Sequence, residues 1–355
     1  LNKRKKYWQF FLFLIVVSAI YTFVRTYEMG AFRTVKTQFS GSCKVVARLP
    51  GPEDIQLDRT TGILYISSDD RWATEAGKPV RGGIYSLDAN LPTANPRLCN
   101  PTEPADFHPH GLSLFSDKDG GKVLFVVNHR ESGPQTVEIF DMQSNGSLTL
   151  KQTVKDELLI WPNDVVGVGP QKFYVTNVSR YGKALGRMLD TFLNLKGGFI
   201  AYFDGDKMKI VAKNLAFPNG IQISPDGKNI YLAETLSGKL KVFDRSIEDG
   251  KLSFSQSYFI GGGLDNIALD EKGGLWIAIH PNLLAVTSHL KNPKNISPSK
   301  IVKITLQPSG YETTEEFLDS GKLQSAASVG VPVKDKLFVG AFCESKILEL
   351  LPQGR

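Results

Sequence analysis

Short polar turns rich in Gly, Pro and Asp alternate along this chain with strands rich in β-branched and aromatic residues, and one such unit recurs six times. It reads Asp58-Arg-Thr-Thr-Gly-Ile-Leu-Tyr-Ile, Ser116-Asp-Lys-Asp-Gly-Gly-Lys-Val-Leu-Phe-Val-Val, Gly169-Pro-Gln-Lys-Phe-Tyr-Val, Ser224-Pro-Asp-Gly-Lys-Asn-Ile-Tyr-Leu, Asp270-Glu-Lys-Gly-Gly-Leu-Trp-Ile and Val333-Lys-Asp-Lys-Leu-Phe-Val. Turns of this chemistry supply the positive φ angles that hairpins require. The units lie roughly 45 to 65 residues apart, a period that belongs to four-stranded propeller blades rather than to sandwiches. Further strand pairs follow the units, such as Gly198-Phe-Ile-Ala-Tyr-Phe with Lys207-Met-Lys-Ile-Val, and supply the third and fourth strands. The pattern predicts an all-β, six-bladed β-propeller. Its last unit ends one strand short after Ile347-Leu-Glu-Leu, while Cys43-Lys-Val-Val-Ala-Arg is a spare strand ahead of the first. Pairing these two is expected to close the ring and cover an exposed edge.

Two segments break the period. The first, Tyr7 to Val24, is an apolar run that would span about 27 Å as a helix, a little less than the hydrocarbon core of a bilayer. Lys3, Arg4, Lys5 and Lys6 precede it, so the N-terminus is expected in the cytoplasm and everything after Val24 on the far side of a membrane. No clean small-x-small cleavage site follows, which makes an uncleaved signal-anchor the first reading and a secretory signal peptide the second. The chain opens with Leu, which suggests a start further upstream. Residues 1–25 are thus expected to form a hydrophobic helix, 26–42 a linker and 43–355 a luminal, extracellular or secreted propeller domain. The second segment, Tyr181 to Leu195, carries Leu185, Met188, Leu189, Phe192 and Leu195 at helical spacing, with Lys183, Arg187 and Lys196 among or beside them. It predicts a helix that either packs on the propeller or forms an amphipathic lid touching membrane or a hydrophobic substrate.

Composition fits this picture: 41% hydrophobic and 22% charged residues, with 33 Gly and 19 Pro, describe a turn-rich β protein. The formal charge of +6 is concentrated at Lys3 to Lys6 and Arg25. The rest is close to neutral and offers no basic stripe for nucleic acid. Translocation would make Asn145 and Asn177 candidate N-glycosylation acceptors, and would let two of Cys43, Cys99 and Cys343 form a disulfide.

The candidate chemistry lies at one position of the repeat. Glu53-Asp54, His110, Asn163-Asp164, Asn219 and Asp265-Asn266 each stand a few residues ahead of a turn, on the strand that lines the channel of a propeller. Equivalent positions of a circular repeat converge on its axis, so these side chains describe a ring of oxygen ligands. Hard donors in that number suit Ca²⁺ better than Zn²⁺ or Cu²⁺. Neighbouring residues on a strand face opposite sides, so Glu53/Asp54 and Asn163/Asp164 can serve two ions, one at the mouth and one deeper. His129 and His280 end the following strands in two blades and border the same mouth, while His108 and His289 are expected at the surface or in turns.

These residues resemble the paraoxonase (serum arylesterase/lactonase) family. The matching motifs are Gly51-Pro-Glu-Asp54, Phe107-His-Pro-His-Gly-Leu-Ser113, Val126-Val-Asn-His129, Pro162-Asn-Asp164, Asn219-Gly-Ile-Gln-Ile-Ser-Pro-Asp-Gly227, Leu264-Asp-Asn266 and His280-Pro-Asn282. The resemblance implies a six-bladed propeller with two Ca²⁺ ions. Glu53, Asn163, Asn219, Asp265 and Asn266 would hold the catalytic ion; Asp54, Asp164 and the backbone carbonyl of Leu112 would hold the structural one. His110 would activate water, with His129 as its relay. The family disulfide matches Cys43 on one side, while its second position falls at Leu348, so that Cys343 would be the partner in this chain. Val178 stands where the family often has an acidic residue, and Trp72 where it has an aromatic in a mobile loop. The implied activity is calcium-dependent hydrolysis of aryl esters and lactones; the alternative is a calcium-stabilised, non-catalytic propeller acting as a binding module at a membrane or in a lumen.

Overall fold

A computed structural model describes residues 3–91 and 95–352; the outermost residues of the expected segments, 1–2 and 353–355, lie outside the described residues. Among the described residues, twenty-four strands form six four-stranded antiparallel sheets arranged as a propeller. The innermost strands are Pro52–Asp58, Pro109–Ser116, Pro162–Gly169, Pro218–Ile223, Gly263–Leu269 and Ala327–Val333. Each touches the next around the ring, and the sixth touches the first. Four of them begin with proline, which costs no ladder hydrogen bond at the first position of a strand. Apolar side chains from adjacent blades fill the wedges between sheets. Ile55, Leu64, Trp276, Ile301, Val329 and Phe338, for example, form one cluster across blades one, five and six.

Blade six is assembled from both ends of the chain. The strand Gly41–Ala47 lies outermost in the sheet of the last three strands and pairs antiparallel with Ile347–Pro352. The expected disulfide is not seen in this register. Cys43 stands opposite Leu350, and Leu348 opposite Val45; Cys343 lies buried in the connection before the last strand, and all three cysteines are free thiols. Asn177 is also corrected as a glycosylation acceptor. It is fully buried, and its Oδ1 accepts the backbone N–H groups of Ile160 and Trp161 at 3.0 and 3.1 Å. Asn145 sits exposed in the turn between the last two strands of blade two.

Helix α1 spans Lys3–Glu28 and is long and apolar enough to cross a membrane. It runs past the expected boundary at residue 25. Its C-terminal end packs on helix α3 (Ala184–Leu193), where Arg25 is buried and donates to the Phe192 carbonyl at 3.2 Å. The Met29 carbonyl then accepts the N–H of Leu283 at 2.9 Å. Two further helices cap the same end: α2 (Arg71–Glu75) and α4 (Leu283–Lys291), which touch each other. The α3 helix inverts the usual arrangement. Its buried residue is Asp190, which accepts from the Ser179 hydroxyl at 2.6 Å and Gly197 N–H at 3.0 Å, while Leu185, Met188, Leu189 and Phe192 are exposed.

Candidate active site

One backbone irregularity recurs in every blade. Each innermost strand slips its register against the second strand after its first or second residue: between Pro52 and Asp54, Pro109 and Leu112, Pro162 and Val165, Pro218 and Ile221, Leu264 and Ile267, and Ala327 and Val329. The residues freed from regular pairing are Glu53, His110 with Gly111, Asn163 with Asp164, Asn219 with Gly220, Asp265 with Asn266, and Ser328. Bulges re-aim side chains, and six at one level turn these residues towards the axis. Hydroxyls replace some of the lost ladder bonds: Ser67 accepts from Asp54 N–H and Thr176 from Asp164 N–H, at 3.1 and 3.0 Å. Gly111 and Gly220 are glycines because the next blade abuts them. A Cβ on Gly111 would meet Asp164 Oδ1 at 2.4 Å, and one on Gly220 the Asp265 carbonyl at 2.5 Å.

The polar residues sort into two layers. In the deep layer, Asp54 accepts the N–H of Ile55 (2.8 Å) and of Leu112 from blade two (2.9 Å), and Asp164 accepts those of Val165 (2.7 Å) and Ile221 from blade four (2.8 Å). The outer layer lines a cavity of about 240 Å³ whose walls include Glu53, His110, Asn163, Asn219, Asp265 and His280. Asn266 reaches Glu53 Oε1 with its amide at 2.8 Å, and Asp265 Oδ2 lies 2.7 Å from His280 Nε2. Apolar side chains of Met29, Phe217, Leu236, Leu283, Val286 and Phe342 complete the cavity. A larger groove of about 740 Å³ between blades one and two holds none of these groups.

Four oxygens of the outer layer are buried without a hydrogen-bond partner: Glu53 Oε2, Asn163 Oδ1, Asn219 Oδ1 and Asn266 Oδ1. Buried polar atoms are ordinarily paired, so a cluster of lone acceptors on four blades could hold a cation. Electrostatics agree. Burial pushes Glu53 and Asp164 well above the ordinary carboxylate range and Asp54 up to about 7, with the charge of Asp54 raising both of the others further. Among the described residues no three His, Cys, Asp or Glu side chains form a metal cluster by themselves, because this ring draws on amides as well as carboxylates. An all-oxygen set of carboxylates and carboxamides fits Ca²⁺.

Besides His280, two imidazoles stand beside the ring. His110 Nε2 lies 3.1 Å from the Asn163 amide and 3.8 Å from Glu53 Oε1, and its Nδ1 lies 2.8 Å from Arg71 Nη2. Burial, reinforced by His129 and Arg71, holds its pKa well below the usual histidine value. His129 donates from Nε2 to the Pro162 carbonyl at 2.6 Å, and burial lowers its pKa to about 4. The two rings stack face to face, with centroids 4.6 Å apart and planes 26° apart. The edge-to-edge hydrogen bond that a relay would use is not formed in this arrangement.

Other residues stand apart from expectation. Arg71, missed in the sequence, donates to the carbonyls of Gly51, Phe342 and Pro109 as well as facing His110; its signal was only the charged Asp69-Asp70-Arg71 cluster. Ser328, also missed, donates to the Glu53 carbonyl at 2.6 Å. His108 and His289 are not surface residues. His108 is buried 2.9 Å from Asp69, which with that bond holds its pKa up despite burial, and His289 is fully enclosed against Trp72. Trp72 itself sits on α2 and donates to the His289 carbonyl at 3.3 Å.

Residues 48–349 match the arylesterase family. The chain belongs to that family. It is 34% identical over 324 residues to serum paraoxonase/arylesterase 2 of Homo sapiens, covering 88% of this chain and 90% of the relative. Its identity to the Rattus norvegicus protein of the same name is 31% over 326 residues, with the same coverage. Among solved structures, the calcium-binding protein regucalcin from Agrobacterium tumefaciens superposes with a TM-score of 0.55 at 16% identity, over 89% of this chain and 96% of that one. Membership of the arylesterase family supports a hydrolase acting on small-molecule esters or lactones.

Proposed function

We propose that this protein is a calcium-dependent hydrolase of aryl esters and lactones whose reaction takes place in the outer layer of the channel. The observation that carries this reading is the group of four unpartnered buried oxygens beside His110. Glu53, Asn163, Asn219, Asp265 and Asn266 would hold the catalytic ion, and Asp54, Asp164 and the Leu112 carbonyl a second, structural one. A Ca²⁺ bound in the outer layer would supply Lewis-acid polarisation of the substrate carbonyl. The apolar wall from Met29 to Phe342 would receive the acyl or aryl group and exclude bulk water. His110 is the group we assign to the proton of the attacking water, since its lowered pKa keeps the ring neutral. A guanidinium can only donate, so Nδ1 accepts from Arg71 and the neutral ring carries its proton on Nε2 beside the Asn163 amide group. Proton acceptance therefore requires Nδ1 to move off Arg71 as substrate and water enter.

The apolar α1 and the exposed face of α3 meet at the rim of this cavity, and we assign both to a membrane surface, with the propeller luminal or extracellular, or secreted if the segment is cleaved. Asn145 is the acceptor that a glycan could reach there. A chromogenic aryl ester and a γ-lactone, each assayed with Ca²⁺ and with chelator, test the function. Turnover that needs Ca²⁺ is expected. Turnover of neither would favour the non-catalytic, calcium-stabilised binding module.

A further inference from the structure

Four planar groups lie one upon another between the surface and the cavity. The Arg187 guanidinium on α3 sits 3.8 Å from the centre of the Trp161 ring. Trp161 stacks on His129 with centroids 5.3 Å apart and planes 25° apart. His129 in turn stacks on His110. We infer that Trp161 and Arg187 are positioning residues which set the ring planes of His129 and, through it, His110, so that the seating of α3 determines how the reacting imidazole is presented.

Edge contacts alone do not define these planes. His129 has its Nε2 bonded to the Pro162 carbonyl, and one such bond leaves the ring able to tilt about that contact. Faces pressed on both sides remove that freedom, and a guanidinium over an indole is a favourable cap for the stack. The backbone that carries the indole is well anchored. The Trp161 backbone N–H donates to the side-chain oxygen of the buried Asn177, and the Val178 N–H donates to the Trp161 carbonyl, both at 3.1 Å. The other end is the helix. Arg187 also donates to the Gly182 carbonyl, Asp190 ties α3 to Ser179 and Gly197, and Thr191, one turn beyond Arg187, lines the cavity. The helix with exposed Leu185 and Met188 thus supplies both a wall of the cavity and the last plane of the stack.

The kinetic consequence rests on the reading of His110 as the reacting imidazole, whereas the stack itself does not, and the test separates them. Full-length protein in detergent micelles, labelled on histidine, is compared as wild type, Trp161→Leu, Trp161→Phe, Arg187→Ala and Arg187→Lys by ring-proton NMR and aryl ester kinetics. Trp161→Leu should move the His129 ring protons downfield by removing the indole ring current, and lower kcat about tenfold with KM nearly unchanged. Trp161→Phe should restore most of both. Arg187→Ala, a partly exposed position that folding tolerates, should lower kcat about threefold, with Arg187→Lys intermediate. Unchanged His129 shifts in Trp161→Leu, or a wild-type kcat in either Trp161→Leu or Arg187→Ala, would overturn the inference. If wild-type protein turns over no ester or lactone, the hydrolase reading falls alone, and the NMR shifts still decide the stack.

Discussion

The two layers of the channel are built from neighbouring residues on the same strands, yet they have opposite hydrogen-bond states. Asp54 and Asp164 each accept two backbone N–H groups, one from the next blade of the ring. One residue earlier on those strands, Glu53 and Asn163 each leave an oxygen with no partner, as do Asn219 and Asn266. The deep carboxylates tie blade one to two and three to four whether or not an ion is present. The outer oxygens make no hydrogen bond within the fold, which is why we assign them to a ligand. Oxygen-bearing residues a single Cα apart therefore divide between holding the propeller together and leaving oxygens free in the outer layer.

The largest effect expected from this contrast is in the outer layer. His110→Gln should lower aryl ester turnover about a hundredfold or more while shifting Tm by no more than about 2 °C. Full turnover in that variant would remove the imidazole from the chemistry and leave the cation site in place. A smaller effect belongs to the deep layer. Burial holds Asp54 up at about 7, against about 3.9 in an unfolded chain. Without metal, the folded state keeps a proton that the unfolded chain has released. Stability present below about pH 4 is then lost as the pH rises towards 7. In chelator, Tm should fall by roughly 5 °C across that window, and Asp54→Asn should lessen the fall while leaving the share of Glu53 and Asp164, which burial also holds up. A Tm that rises with pH in chelator would contradict the deep layer as described.

The sequence makes one part of this contrast legible and hides another. Six turn-strand units, with polar residues at one shared position, suffice to place Glu53, Asn163, Asn219 and Asp265 on innermost strands of different blades. The division into two layers also follows from strand alternation at Glu53/Asp54 and Asn163/Asp164. The bulges are not visible, because a register slip depends on the partner strand and not on the residues that slip. Contacts that join distant blades are hidden for the same reason. Arg71 reaches carbonyls from three blades, and Ser328 completes the ring without any charge to mark it. The cysteines are not legible from the resemblance alone, because pairing depends on register: Cys43 stands across from Leu350, while Cys343 lies before the strand begins. His108, His289 and Asn177 mislead: their polar side chains are buried with partners supplied by other segments.

The central claim is most directly tested by titrating Ca²⁺ into chelated protein at neutral pH by calorimetry, with wild type and Glu53→Gln compared. The account predicts Ca²⁺ binding in the wild type, with the outer-layer event lost in Glu53→Gln and the deep one retained. Identical isotherms for the two proteins, or no binding in the wild type, would contradict it.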